Sequence, residues 1–184
     1  MKGEKGREEN KGSSFILHPS SLRLLGYSFL ILFFELALIR FIPAHVRVAA
    51  YFINLVLIAA FLGMGVGLIL QSRRLNVAYL FAPALLLLIL ACWYFSNTLV
   101  EPVSSSAEKF FALYYDISPT ARKWGLVPVV SLLFMLVACV FVPLGTLMGR
   151  EFDKFPPLIA YSINIFGSLL GLVGFAMLSH YSTP

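Results

Sequence analysis

The chain has 184 residues, 59% of them hydrophobic and 12% charged, with a net charge of +5 and a mean hydropathy of +0.86. A soluble domain carries about a quarter of its residues as charges, so this composition excludes an ordinary water-soluble fold and makes lipid the solvent of most of the chain. The positive charge is scattered: Lys2, Lys5, Arg7 and Lys11 alternate with Glu4, Glu8 and Glu9, which describes a solvated tail and excludes a nucleic-acid surface.

Residues 1–21 are expected to form a disordered lead-in. The apolar core Phe15–Leu17 is too short for a secretory signal, and Gly, Ser and Pro interrupt the residues around it. Five apolar spans come next, at about 22–42, 49–70, 77–97, 126–149 and 158–179, with a stub at 180–184. Pro43 is expected to close the first. The second has 22 residues, about 33 Å as a helix, enough for a hydrocarbon core of roughly 30 Å. Each span is predicted to be helical, because open β-structure leaves backbone groups unsatisfied in lipid. The predicted fold is therefore all-α, a polytopic transmembrane bundle of about five helices.

The connectors are short except for Leu99–Gly125, whose aromatic run Phe110–Tyr115 suits a short helix lying along the headgroups. With the N-terminus in the cytoplasm, nine Lys and Arg fall on that side and five (Arg40, Arg47, Lys109, Arg122 and Lys123) on the other. This predicts an N-in, multi-pass protein of the cytoplasmic (inner) membrane, with the basic Arg73–Arg74 turn as the main local support. The chain reads as part of a longer architecture, since five spans leave little outside the membrane.

The first span holds Glu35 and Arg40. A charged residue at the centre of a span costs roughly 3 kcal/mol even on the mildest insertion scale. Five helical steps set the two about 140° apart, so they do not bond along one face. Arg40 lies near the span's exit and can reach the headgroups. Glu35 needs a wet cavity, a proton, or a donor on another helix, with Arg40, Arg47, Asn54 and Asn164 as candidates. It reads either as a structural clasp or as a contact for an ion, proton or substrate.

Gly63 and Gly67, Gly145 and Gly149, and Gly167 and Gly171 recur at i,i+4, with Gly65 and Gly174 nearby. Small residues at this spacing allow close backbone approach between membrane helices, where packing drives association. They lack the strand–turn–helix setting of a dinucleotide fingerprint. Pro83, Pro128 and Pro143 suggest kinks. Cys92 and Cys139 have neither CxxC spacing nor neighbouring histidines, and no catalytic residue set, metal site or cofactor is predicted.

Two stretches, FELALIRFIPAHVRVAAYFINLVLIAAFLGMGVG (34–67) and PLGTLMGREFDKFPPLIAYSINIFGSLLG (143–171), resemble the membrane portion of spermidine-synthase-like integral membrane proteins. The resemblance runs from about Leu24 to Leu178 through Glu35, Arg40, Phe61–Gly67, Pro143–Gly149 and Ala160–Gly171. It implies a membrane segment joined to an aminopropyltransferase-like domain with a Rossmann-type glycine turn, to which nothing in this sequence corresponds. The resemblance thus implies an anchoring or substrate-delivering role, without catalysis by these residues. GLILQSRR (67–74) is more loosely similar to the turn of major facilitator transporters but lacks its acidic residue. The alternatives are a small transporter or channel component using Glu35, Asn54 and Asn164, and a structural membrane subunit. Expected partners are the lipid bilayer, a soluble catalytic domain or partner chain, and a further copy of the chain.

Overall fold

The computed structural model describes residues 19–72, 77–96, 99–101 and 123–181. Five helices account for most of them: α1 Pro19–His45, α2 Ile53–Leu70, α3 Phe81–Ser96, α4 Leu126–Phe152 and α5 Pro157–Tyr181. Together with the 3₁₀ turn Val77–Leu80 that leads into α3, each is long and apolar enough to cross a bilayer. The protein is a multi-pass helical membrane bundle. The basic turn at 73–74 and the aromatic run at 110–115 lie outside the described residues, as does most of the lead-in.

Helix ends depart from the expected spans for local reasons. Pro19 opens α1, a position where its missing N–H deprives no carbonyl of a partner. Pro43 does not close the helix but sits inside its last turn. Only the bond from residue 43 to residue 39 is lost there, and the Val46 amide still reaches the Ile42 carbonyl at 2.8 Å. A 3₁₀ segment, Arg47–Phe52, then turns the chain into α2. α4 and α5 each run two or three residues beyond their expected ends.

A second departure is a pair of three-residue strands at the two ends of the long connector. β1 (Leu99–Glu101) and β2 (Lys123–Gly125) run parallel, with Leu99 opposite Lys123 and Glu101 opposite Gly125. This ties the end of α3 to the start of α4. Trp124 stands edge-on to Phe95 and Tyr94, with ring centroids 6.0 and 6.3 Å apart. Aromatic rings of this kind suit the level where hydrocarbon gives way to headgroups.

α4 is the most buried helix. It packs against α2, α3 and α1, while α5 leans chiefly on α1. Phe141, Val137 and Val140 of α4, with Leu88 and Cys92 of α3 and Ala59 and Ala60 of α2, form the centre of one apolar cluster. The helices pair by direction. Gly63 faces Ala138 and Phe141, Gly67 faces Val142 and Thr146, and Gly149 meets Gln71, so α2 and α4 ascend together. Gly167 meets Leu25 and Ser28, and Gly171 meets Phe29, so α1 and α5 also run parallel. The start of α1 therefore shares one end of the bundle, the proximal end, with the α2–α3 and α4–α5 connections. The 45–53 corner, the strand pair and the end of α5 share the distal end.

Candidate functional site

The buried residues of α1 are Ser21, Leu24, Ser28, Ile31, Glu35, Leu38 and Ile42. Steps of three and four keep them on one stripe, the geometry of a helix seam. Every seventh position down to Glu35 is polar. The Ser28 hydroxyl is satisfied within its own helix, donating to the Leu24 carbonyl at 2.9 Å. Glu35 is 5% exposed, between Ile31 and Leu38 of the apolar cluster. Among the described residues it makes no side-chain hydrogen bond or ion pair. Aromatic contacts bracket its turn: Phe34 stands edge-on to Phe81 of α3 at 5.3 Å, and Phe33 to Phe175 of α5 at 6.1 Å.

The other polar candidates lie elsewhere. Arg40 is exposed, and its Nη1 donates to the Ser179 hydroxyl, tying the distal ends of α1 and α5. Asn54 is exposed in the first turn of α2, at the distal end. Asn164 is half-buried on α5. It lies three residues before Gly167, which sets it near Leu25 and about 15 Å along the helix from Glu35. Asn54 is separated from Glu35 by a similar rise toward the other end. These residues occupy three depths, and the helical register does not gather them around one cavity. The side chain of Arg47 lies outside the described residues.

The glycines, by contrast, sit at the closest contacts between helices. A Cβ on Gly67 would lie 2.8 Å from the Thr146 amide nitrogen and 3.0 Å from the Gly145 carbonyl carbon, and closer still to the Val142 carbonyl oxygen. One on Gly145 would lie 2.6 Å from the Met64 carbonyl oxygen. On the other pair, Cβ atoms at Gly167 and Gly171 would each lie 2.6 Å from a carbonyl oxygen of α1, that of Leu25 and that of Phe29. All are backbone contacts, which side-chain rotation cannot relieve. Gly149 differs, because the end of the Gln71 side chain is what it meets.

Thr146 is a contact that sequence reasoning missed. Its Oγ1 is 2.9 Å from the Val142 carbonyl in its own helix and 3.0 Å from the Gly67 carbonyl on α2, so one proton is shared between two acceptors. The signal was a hydroxyl residue inside the small-residue run Gly145–Gly149. Interhelical hydrogen bonds of this kind in membranes average about 0.6 kcal/mol. Thr146→Val, which keeps the shape and removes the hydroxyl, is expected to lower stability by about that amount, read as a small drop in denaturant midpoint in detergent. Glu151 lies beyond the expected end of the fourth span, yet it belongs to α4. It is buried at the proximal end of α4, with Lys154 Nζ 2.7 Å from Oε1.

Among the described residues no group of three or more His, Cys, Asp or Glu could hold a metal ion. Cys92 is buried and Cys139 exposed, one on α3 and one on α4. The chain matches no family model, no curated protein and no solved structure.

Proposed function

We propose that this bundle is the membrane segment of a spermidine-synthase-like protein, anchoring an aminopropyltransferase-like catalytic unit and delivering substrate to it from the bilayer. The catalytic unit would be a further domain or a partner chain. One observation carries the reading: the stretches bearing the resemblance, 61–67, 143–149 and 160–171, supply the glycines at the two closest helix contacts. Residues that weld α2 to α4 and α5 to α1 are those a scaffold has to keep. The test is to purify the complex from native membranes in mild detergent and assay aminopropyl transfer to a diamine. Activity that co-purifies with the bundle in fixed proportion is the expected result. A homogeneous 20.5 kDa species without that activity overturns the reading.

In the cytoplasmic membrane the proximal end faces the cytoplasm on this reading, because Arg150 and Lys154 belong to it and the sequence places Arg73 and Arg74 between α2 and α3. A periplasm-dependent reporter inserted after Arg74 is expected to be silent, and one placed after residue 184 active.

A second reading is favoured by Glu35 alone. A carboxyl group buried in a membrane helix with no described partner is what an ion, proton or substrate contact requires. On this reading the chain is a small transport component.

A further inference from the structure

Glu35 sits about 5 Å along the axis from Leu32, the midpoint of α1, so in a bilayer its level is that of the hydrocarbon. The residue is 5% exposed, and its carboxyl oxygens are not fully enclosed. The side chain is covered while its reactive end keeps a little free surface.

The helices around it bring no charge to this level. On α5, Phe175 meets Phe33 and Ser179 meets Arg40, which sets the apolar residues Ala176, Met177 and Leu178 beside Glu35. On α3, Phe81 meets Phe34, and Cys92 lies about 16 Å farther toward the distal end. At the distal corner Ile42 lines a small apolar groove with Val56 of α2 and Leu133 and Val137 of α4. Both of those helices run opposite to α1, so two turns back from Ile42 they present Gly63 and, on α4, Val140, Phe141 and Leu144. No residue of α2 is titratable, and the 3₁₀ segment Arg47–Phe52 lies beyond Ile42. Arg40 is the nearest charge along α1, about 140° round the helix and held on Ser179.

Spare oxygen ligands are missing as well. The Ser28 hydroxyl is about 10 Å away along α1 and bonds to the Leu24 carbonyl, and the Thr146 hydroxyl serves Gly67 and Val142. A dehydrated magnesium or calcium ion takes about six or more oxygens, and an ammonium group needs acceptors for three N–H donors. Among the described residues this level offers one carboxyl. A proton is the cation that a single carboxyl can hold, and buried carboxyls of this kind form the proton relays of membrane proteins.

We infer that Glu35 is a proton-binding site within the membrane, taking up and releasing one proton. This names the ion of the transport reading and rests on that reading. The acid form has a distinctive reactivity toward a lipid-soluble carbodiimide. The carboxyl proton passes to one carbodiimide nitrogen and the carboxyl oxygen bonds to the central carbon as one C=N π bond opens. The acyl group then shifts from oxygen to nitrogen, leaving a stable N-acylurea that retains every atom of the reagent.

The test is labelling of the full chain in phosphatidylcholine vesicles with dicyclohexylcarbodiimide, read by intact mass and peptide mapping. One adduct per chain, at Glu35, is expected, with a rate that falls about tenfold per pH unit once the acid form is depleted. Glu35→Gln should carry no such adduct. Labelling that stays constant over about pH 5–9 overturns the proton site, because the proton is then never released. Protection by sodium or magnesium ions overturns it too, as does a chain that elutes as one species on size exclusion yet gains no adduct at Glu35. A pH gradient across the same vesicles separates this inference from the reading beneath it. An adduct with the expected pH dependence in vesicles without proton flux sustains the proton site and overturns the transport reading. Sodium flux together with protection of Glu35 by sodium sustains transport and overturns the proton.

Discussion

Gly67→Ala is expected to unseat α2 from α4, whereas Gly65→Ala, two residues away on the same helix, is expected to be harmless. A methyl group on Gly67 meets three backbone atoms of α4, two of them nearer than real Cβ contacts come, while one on Gly65 meets nothing within 4 Å. Backbone cannot rotate aside, so the helices have to separate. Separation also breaks the hydrogen bond from Thr146 to the Gly67 carbonyl and opens the contacts at Gly63 and Gly145. Overpacking of a tight contact costs about 1–3 kcal/mol, and the upper end applies where the whole interface must move. Both variants gain about 1 kcal/mol of intrinsic helix propensity, so their difference isolates the packing effect. Thermal unfolding in a single detergent measures it: a lower midpoint for Gly67→Ala and an unchanged or higher one for Gly65→Ala. Equal midpoints would mean that α2 and α4 do not touch along this ridge.

Glu35→Leu is expected to leave the protein folded and to raise its stability by about 1 kcal/mol, the low end of the cost of burying a polar group without a hydrogen bond, because the carboxyl oxygens are not fully enclosed. Leucine has similar bulk and suits a site between Ile31 and Leu38. The sign of the effect separates two roles for the carboxyl. A clasp to another helix would make the substitution destabilising, because it would strand a buried donor. A functional carboxyl without a structural partner gives the opposite pattern, stability gained while activity is lost. The companion variant Glu35→Gln tests activity, with the folded protein measured in the membrane beside ion or substrate flux. Normal abundance with abolished flux assigns Glu35 to transport. Full activity and unchanged stability in both variants would remove Glu35 from either role. This outcome is independent of the catalytic-anchor reading, which the co-purification assay tests.

Glu35 also shows where sequence reasoning stops. On the seam Ser21–Leu24–Ser28–Ile31–Glu35–Leu38–Ile42, the sequence shows three polar residues seven apart, Ser21, Ser28 and Glu35. That spacing does not say whether the face they mark meets protein or lipid, and only packing makes it the protein-facing one. Asn54 and Asn164 illustrate the same limit. Both are conspicuous as polar residues in apolar runs, yet the register set by Gly167 against Leu25 spreads them along the bundle away from Glu35.

By itself the sequence determined that the protein lives in lipid and crosses it as five helices. Long apolar runs leave the backbone no other way to satisfy its hydrogen bonds in hydrocarbon, and that requirement is local. The glycine spacings are local too, and they mark faces on which backbones can approach. The tertiary structure alone decided that α2 pairs with α4 and α1 with α5. It also decided that Thr146 bridges the first pair, that two short strands join the ends of the long connector, and that a groove is left open at the distal corner. The physical reason is that helices apolar on every side carry no hydrophobic instruction about which face to bury. Between them, partner choice falls to shape and to single hydrogen bonds, which exist only once two distant segments have met.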